Sequence, residues 1–390
     1  MPNNFQTLTE RFVSPGPKRI LALDGGGIRG ALTLGFLKKI ETELKNRHNN
    51  KEDFRLCHYF DLIGGTSTGA IIASALATGM SVDEIIDLYQ NVGGKIFNKK
   101  YCWRFWKRWW VDYSHRPMEK ELQKAFAKNG KPVMFNDQGT NGIQTGLCIV
   151  MQRADTFSMW PLSNNPKAKY YKSNNYPLWE LVRCSSAAPT FFKPHIMKVL
   201  NREGNPSKDG VFVDGGLSMM NNPALQLFLT ATLDAFKFNW ETGADKLLIV
   251  SVGTGYQKRN EDLHKIANRS KLGWAKNIPD MFMDGSTWQN QLFMQWFGDS
   301  KNSVMINREV DTMENEKLIL GNKLFTYVRY NTKLDVKGLN HELGFSFTEE
   351  DVESLRKMDK GGNRFKLADI GDKSAAKQFD PTHFPAAFNL

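Results

Sequence analysis

Short apolar runs that end in glycine-rich turns dominate the first part of the chain. Residues 19–24 and 59–63 form two such runs, and each leads into a turn with three glycines. Beyond the first turn, apolar residues recur at the spacing of one helical face, at Ala31, Leu34, Leu37, Ile40 and Leu44. Strands that alternate with helices predict an α/β fold with a mostly parallel sheet.

The alternation continues through the first two thirds of the chain. Residues 146–151 and 246–252 predict further strands. Ser81 and Glu84 form a capping-box pattern, which predicts a helix through Tyr89. We expect these elements to share one domain, interrupted by an aromatic and basic stretch at residues 97–115 and by a polar stretch at 163–176.

Beyond residue 256 the pattern becomes mainly helical. Residues 271–297 and 349–358 predict helices, and residues 324–330 predict a strand. We therefore expect a three-layer α/β/α fold with a helical C-terminal extension. Its expected parts are an N-terminal tail at 1–18, an α/β domain at 19–256 and a mainly helical part at 257–390 packed on the same domain.

The charge of the chain favours contact with anionic partners. Its 52 lysine and arginine residues outnumber 41 acidic residues, which gives a net charge of +11. Such a surface attracts an anionic membrane face, nucleic acid or an acidic protein, although it also serves plain solubility.

The cysteines and the apolar segments restrict the class of protein further. Cys57, Cys102, Cys148 and Cys184 are scattered, without the spacing of a disulfide scaffold or a zinc site. We find no signal-peptide pattern at the N-terminus and no apolar stretch of membrane-spanning length. We therefore expect a cytoplasmic protein.

Three turns carry residues that suit acyl transfer. Ser67 lies within a Gly-Thr-Ser-Thr-Gly sequence between a strand and a helix, where a tight turn exposes the hydroxyl as a nucleophile. Asp214 follows a short strand and precedes two glycines. Since the carboxyl ends of strands in an α/β sheet meet at one crevice, this carboxylate is a candidate base. The backbone N–H groups of Gly25, Gly26 and Gly27 are candidate donors for an oxyanion.

Two other classes of function remain open at this level. A small-molecule esterase with a histidine triad is one, with His264, His341 or His383 as the base. None of the seven histidines follows a strand as a triad base does, which favours Asp214. A nucleotide-binding or nucleic-acid-binding protein is the other, because Gly25, Gly27 and Gly30 match a dinucleotide fingerprint. That fingerprint lacks its acidic residue at the end of a second strand.

Together the motifs resemble the patatin-like phospholipases. Four blocks match that family in order, at residues 24–30, 65–69, 184–195 and 214–216, and a weaker likeness follows at 248–255. The resemblance implies hydrolysis of membrane glycerolipid esters by a Ser67–Asp214 dyad, without a metal ion or another cofactor. It also implies that Gly25, Gly26, Gly27 and Arg29 form or support the oxyanion hole.

An aromatic and basic insert at residues 97–115 departs from that family. It holds four of the ten tryptophans of the chain: Trp103, Trp106, Trp109 and Trp110. Tryptophan and basic side chains suit the head-group level of a membrane. We expect peripheral contact with the inner membrane face through these residues; core or oligomer contacts are the alternative.

Regulation by a ligand is the last expectation. Some bacterial relatives of this family are switched on by cyclic nucleotides in antiphage defence, and the resemblance permits that role here. The C-terminal part and the polar residues 163–176 are the candidate positions for such a site.

Overall fold

A nine-stranded mixed sheet and a two-stranded hairpin organise the ranges that the computed structural model describes, which are residues 7–96, 115–189, 191–257, 263–318 and 321–390. The strands are β1 (Lys18–Leu23), β2 (Leu62–Thr66), β3 (Ala127–Lys128), β4 (Lys131–Pro132), β5 (Gly146–Arg153), β6 (Met159–Ser163), β7 (His195–Leu200), β8 (Pro206–Asp214), β9 (Leu247–Val252), β10 (Gly298–Ser300) and β11 (Phe325–Tyr330). The helices are α1 (Leu8–Val13), α2 (Gly30–Arg47), α3 (Leu56–Tyr59), α4 (Thr68–Ala77), α5 (Val82–Ile96), α6 (Arg116–Ala125), α7 (Leu178–Ser185), α8 (Ala224–Thr232), α9 (Leu263–Ala267), α10 (Lys271–Phe297), α11 (Glu349–Arg356) and α12 (Arg364–Gln378).

The large sheet is parallel over most of its width. Its order is β10-β11-β9-β1-β2-β5-β8-β7, and β10 to β5 pair in parallel. At the other end, β8 pairs antiparallel with β5 and with β7, and β6 also pairs antiparallel with β5. The expected mostly parallel sheet is confirmed.

Helices cover both faces of the sheet, as the alternation along its strands requires. In β1, Leu21 and Leu23 pack with α2 and α4 on one face, whereas Ile20 and Ala22 pack with α1 and α8 on the other. Strands buried on both faces are typical of a parallel sheet between two helical layers. The expected three-layer α/β/α fold is confirmed.

Several predicted elements are observed with small differences. The Ser81–Glu84 capping box forms as predicted, and its helix α5 continues to Ile96. The run at 59–63 is a strand only from Leu62, because Tyr59 ends the short helix α3. The apolar pattern there comes from buried residues of both elements, so it does not separate them.

The expected N-terminal tail at 1–18 is wrong for its described part. Residues 8–13 form α1, in which Leu8 and Phe12 are buried against the sheet. Arg11 is also buried and donates through Nε to Asp61 Oδ1 at 3.2 Å. A charged side chain in a short polar segment gives no sign of burial until its partner, which lies 50 residues away, is known.

The C-terminal part, residues 257–390, contributes to both the sheet and a helical layer. Its strands β10 and β11 extend the sheet beside β9. Its last helix, α12, packs on α2 at Gly35 and Gly371, where a Cβ on either residue would lie 2.4 Å from backbone atoms of the other helix. This contact ties the end of the chain to the helix that follows the first glycine turn.

No helix in the described ranges combines the length and the apolarity that a crossing of the bilayer requires.

Candidate active site

The turn between β2 and α4 holds Ser67 in a strained conformation. Its φ of 54° and ψ of −121° lie outside the regions that serine ordinarily adopts. The flanking glycines leave no room for side chains, since a Cβ on Gly65 would lie 2.2 Å from Gly69 and one on Gly69 would lie 2.1 Å from the Leu23 carbonyl. The surrounding backbone therefore holds the hydroxyl at the end of the strand, as the motif predicts.

Two hydrogen bonds behind the turn fix the backbone of Ser67, the candidate nucleophile, further. The backbone N–H of Ser67 donates to Ser185 Oγ at 2.9 Å, and Ser185 donates in turn to the Val150 carbonyl at 2.6 Å. Ser185 lies at the end of α7, in the block that the family resemblance singled out. Sequence reasoning had assigned it no role.

The side chains of Ser67 and Asp214 meet. Ser67 Oγ donates to Asp214 Oδ2 at 2.6 Å, and the Gly216 N–H donates to the other carboxylate oxygen at 2.7 Å. Both bonds orient the carboxylate, which is only 7% exposed.

The pairing of β5 explains why two residues 147 positions apart meet. On one edge of β5, β2 pairs with Gly146 to Val150, while β6 occupies the opposite edge. Since a strand has two edges, β8 must share the edge of β2, and it pairs with Met151 to Arg153. The ends of β2 and β8 therefore face each other, with Thr66 opposite Val150 and Asp214 opposite Met151.

This arrangement corrects the reason given for Asp214. The sequence argument used the rule that the carboxyl ends of strands in an α/β sheet meet at one crevice, a rule that holds for parallel strands. Instead β8 is antiparallel to β5 and approaches the turn from the opposite direction. A pattern of apolar residues does not encode strand direction, so only the pairing reveals it.

Burial sets the protonation behaviour of the candidate base. Desolvation raises the pKa of Asp214 to about 6, against the lowering effect of the hydrogen bonds from Ser67 and the Gly216 N–H. A base with a pKa close to neutral suits proton transfer better than an ordinary aspartate does.

The first glycine turn lies beside Ser67 and Asp214, but Gly25 does not have the role expected for it. Gly26 and Gly27 line the same cavity as Ser67 and Asp214. The N–H of Gly25 does not serve that cavity, because it donates to the Asn221 carbonyl at 3.0 Å. Gly25 is instead a point of close approach, where a Cβ would lie 2.6 Å from Asn221 Oδ1.

Arg29, the other residue expected at the oxyanion hole, is not among the residues that line the cavity. Burial lowers the pKa of its guanidinium, while Asp284 and Asp280 of α10 oppose that effect. The two aspartates of α10 therefore favour the charged form of Arg29.

A buried ion pair holds the start of the same turn. Arg329 of β11 donates to both carboxylate oxygens of Asp24, at 2.8 and 2.6 Å, and also to Ser251 Oγ at 2.6 Å. Both partners are buried, and the bidentate geometry fixes the orientation of Asp24. The only sequence signal for this role is a charged residue within an otherwise apolar strand.

The cavity above the dyad is mainly apolar and has a volume of about 170 Å³. Its walls come from the glycine turn, α4, α5, α6, the segment after α7, the turn after β8, α10 and the residues after α11. The apolar residues among them are Ile28, Ile71, Leu88, Met118, Leu122, Phe191, Phe192, Leu217, Met283 and Met358. An apolar cavity with a few convergent polar groups is typical of a ligand site.

None of the histidines lines this cavity in the described part of the chain. His195 contacts Glu180 through Nε2 at 3.1 Å, and His383 contacts the Tyr330 hydroxyl at 2.8 Å. His264 and His341 lie elsewhere on the surface. The histidine triad therefore has no geometric support at Ser67.

The four tryptophans of the insert, Trp103, Trp106, Trp109 and Trp110, lie outside the described residues. Their contact with a membrane stays a prediction.

Comparison with known proteins identifies the class. The family model of the patatin-like phospholipases matches residues 21–228, which is more than half of the chain and includes the glycine turn, Ser67 and Asp214. The chain therefore belongs to the patatin-like phospholipase family, and that family indicates a lipid acyl hydrolase.

Two relatives illustrate the range of the similarity. Patatin-1-Kuras 2 from Solanum tuberosum is 26% identical over 297 residues, which cover 70% of this chain and 73% of the patatin. A cGAMP-activated phospholipase from Vibrio cholerae is 31% identical over 214 residues, which cover 53% of this chain and 55% of that protein.

Proposed function

We propose that this protein is a phospholipase A-type acyl hydrolase that cleaves glycerophospholipid esters through Ser67 and Asp214. The observation that carries the proposal is the 2.6 Å contact between Ser67 Oγ and Asp214 Oδ2 at the base of an apolar cavity. The family supplies the substrate class, and the apolar walls suit an acyl chain.

The first half of the reaction forms an acyl-enzyme. Ser67 Oγ attacks the ester carbonyl carbon as its proton passes to Asp214 Oδ2. The N–H groups of Gly26 and Gly27 and the positive end of α4 stabilise the oxyanion that develops. When the intermediate collapses, the proton passes from Asp214 to the departing alkoxide, and the lysolipid leaves as an alcohol.

The second half regenerates the enzyme. Asp214 accepts a proton from a water molecule that attacks the acyl carbonyl, and the same N–H groups stabilise the second oxyanion. Asp214 then returns the proton to Ser67 Oγ as the bond between Oγ and the acyl carbon breaks, and a fatty acid is released. One carboxylate thus serves as base and acid in turn, which a pKa of about 6 favours.

We further propose that a cyclic nucleotide activates the enzyme, which would then act as a membrane-degrading effector in antiviral defence. The relative from Vibrio cholerae, whose name states activation by cGAMP, supports this part of the proposal.

The test is hydrolysis of mixed phosphatidylethanolamine and phosphatidylglycerol vesicles, with and without cGAMP, followed by mass spectrometry of the products. We expect fatty acid and lysolipid from the wild type, and a loss of at least about 10³-fold in Ser67→Ala and in Asp214→Asn. Ser74→Ala, in the helix that follows the nucleophile, and Asp209→Asn, on the same strand as Asp214, are the matched controls and should stay active.

The two alternatives predict different results in the same assay. A histidine triad predicts loss of hydrolysis in an alanine variant of His264, His341 or His383 with activity retained in Asp214→Asn. A nucleotide-binding or nucleic-acid-binding protein predicts salt-dependent oligonucleotide binding that Ser67→Ala leaves intact. Turnover by folded Ser67→Ala or Asp214→Asn protein would rule out the dyad.

A further inference from the structure

The first half of α10 exposes apolar side chains to solvent along one stripe. Ile278, Met281 and Phe282 are 57%, 52% and 49% exposed, and their spacing of three and four residues places them on one face. A surface helix ordinarily turns its apolar face toward the core. The second half of α10 does so, since Met294 belongs to the core.

The helix is fixed in place beside the catalytic turn. Asn290 donates through Nδ2 to the carbonyls of Met219 and Asn222, at 2.7 and 3.1 Å, in the loop that follows Asp214. On the exposed half, Asp280 and Met283 line the cavity above Ser67. At about 100° per residue, these two residues lie on the side of α10 opposite the stripe. The helix therefore forms one wall of the cavity with its inner face and exposes the apolar stripe on its outer face.

The part of the sequence that leads into α10 has a positive net charge, which is complementary to anionic lipid. Residues 257–276 include six lysine or arginine residues and two acidic residues. Burial lowers the pKa of the half-buried Arg29, and the two acidic residues of α10, Asp284 and Asp280, oppose that effect. An apolar stripe next to basic residues is the composition of a helix that lies in the head-group layer of a membrane.

We propose that Ile278, Met281 and Phe282 form a membrane-docking surface that inserts into an anionic phospholipid bilayer and holds α10, which walls the cavity, against it. The choice of a phospholipid surface rests on the proposed function. Docking would hold the enzyme at the surface that contains its proposed substrate. This surface is separate from the tryptophan insert and needs no contribution from it.

The test compares vesicle binding of the wild type with that of the triple variant Ile278→Ser/Met281→Ser/Phe282→Ser. We expect binding to phosphatidylglycerol-containing vesicles to weaken at least about tenfold, because three apolar side chains no longer leave water. The triple leucine variant at the same positions keeps apolar contact and should bind like the wild type. Phe157→Ser/Ile196→Ser, which removes two exposed apolar residues near the other end of the sheet, is the matched control.

Two further measurements separate this inference from the proposed function. Labelling of Ser67 by a fluorophosphonate and hydrolysis of a soluble short-chain ester should stay within about twofold of the wild type in the triple serine variant. Failure of the wild type to hydrolyse any ester would refute the proposed function, while vesicle binding would still decide the docking surface.

Unchanged vesicle binding by the folded triple serine variant would overturn the proposal. A wild-type dimer that the same variant converts to a monomer, with unchanged vesicle binding, would overturn it too and would identify the stripe as a contact between two copies of the chain. Light scattering of both proteins in the absence of vesicles provides that measurement.

Discussion

In the proposed reaction Asp214 must be ionised before it can accept the proton of Ser67, and its pKa makes this condition measurable. Burial raises that pKa to about 6, so the carboxylate becomes protonated in the mildly acidic range. We expect kcat/KM for a soluble, uncharged ester to fall below about pH 6, tenfold per pH unit, and to level off above it. Product chromatography over pH 4.5–8.5 measures the profile.

The pH dependence of protein stability provides an independent test of the raised pKa of Asp214. A carboxyl group with a raised pKa in the folded state favours folding when protonated and loses that contribution as pH rises from 3.8 to about 6. Asp214→Asn, which stays neutral, should therefore unfold less readily than the wild type at pH 7, by up to about 3 kcal/mol, with little difference at pH 4. A rate profile without an inflection between pH 5 and 7, together with equal stability at pH 7, would contradict the assignment.

At the scale of elements, β11 positions the glycine turn through the Arg329–Asp24 pair. We expect the double variant Asp24→Asn/Arg329→Met to lower kcat for a soluble ester by about 10–10²-fold, with KM changed little, because Gly26 and Gly27 lose their fixed orientation. Removal of both charges avoids the large cost of one buried charge without its partner. Steady-state kinetics measure the split between kcat and KM.

Thermal unfolding is the control, in which the melting temperature of the double variant is compared with that of the wild type. If the pair only stabilises the fold, the double variant should melt at a lower temperature while its folded fraction keeps the wild-type kcat. That result would contradict a positioning role for the pair. Slower fluorophosphonate labelling of Ser67 in the double variant, at equal stability, would support it.

The elements that sequence predicted well are those with a strong local pattern. The strand at 146–151, the helix at 271–297 and the nucleophile turn at Ser67 each depend on neighbours within a few residues. The contact of Ser67 with Asp214 was expected from the family resemblance, and the structure shows that contact.

The features that sequence missed depend on partners far along the chain. The antiparallel direction of β8, the acceptor of the Gly25 N–H and the partner of Asp24 all involve pairings that no local pattern encodes. Ser185 belongs to the same group, because its hydroxyl serves a backbone N–H that lies 118 residues away. Local propensity specifies elements, whereas the chemistry of this site depends on how distant elements meet.

At the scale of the whole molecule, Asp61 connects the N-terminal helix α1 with the central sheet. Its carboxylate accepts hydrogen bonds from Arg11 Nε at 3.2 Å and from the backbone N–H and Nε of Arg19, both at 3.0 Å. Arg11 also donates to the carbonyls of Cys57 and Phe60, at 2.7 and 2.9 Å. This buried cluster holds α1 and β1 against the segment that leads into β2 and Ser67.

Loss of the Asp61 charge should therefore destabilise the entire fold. Asp61→Asn leaves two buried guanidinium groups without a counter-charge, and we expect the free energy of unfolding at pH 7 to fall by about 3–5 kcal/mol.

Although burial alone raises the pKa of Asp61, Arg19, Arg11 and Lys18 hold it below its usual value. The carboxylate therefore stabilises the fold above about pH 4 and loses this effect as pH falls through its lowered pKa, so the difference between variant and wild type should shrink in acid. Urea unfolding at pH 7 and pH 3 measures both expectations, with Asp83→Asn, which removes an exposed partner of Lys38, as the control that changes stability by less than about 1 kcal/mol. Equal stability of Asp61→Asn and the wild type at pH 7 would mean that the N-terminal helix is held by its apolar contacts alone.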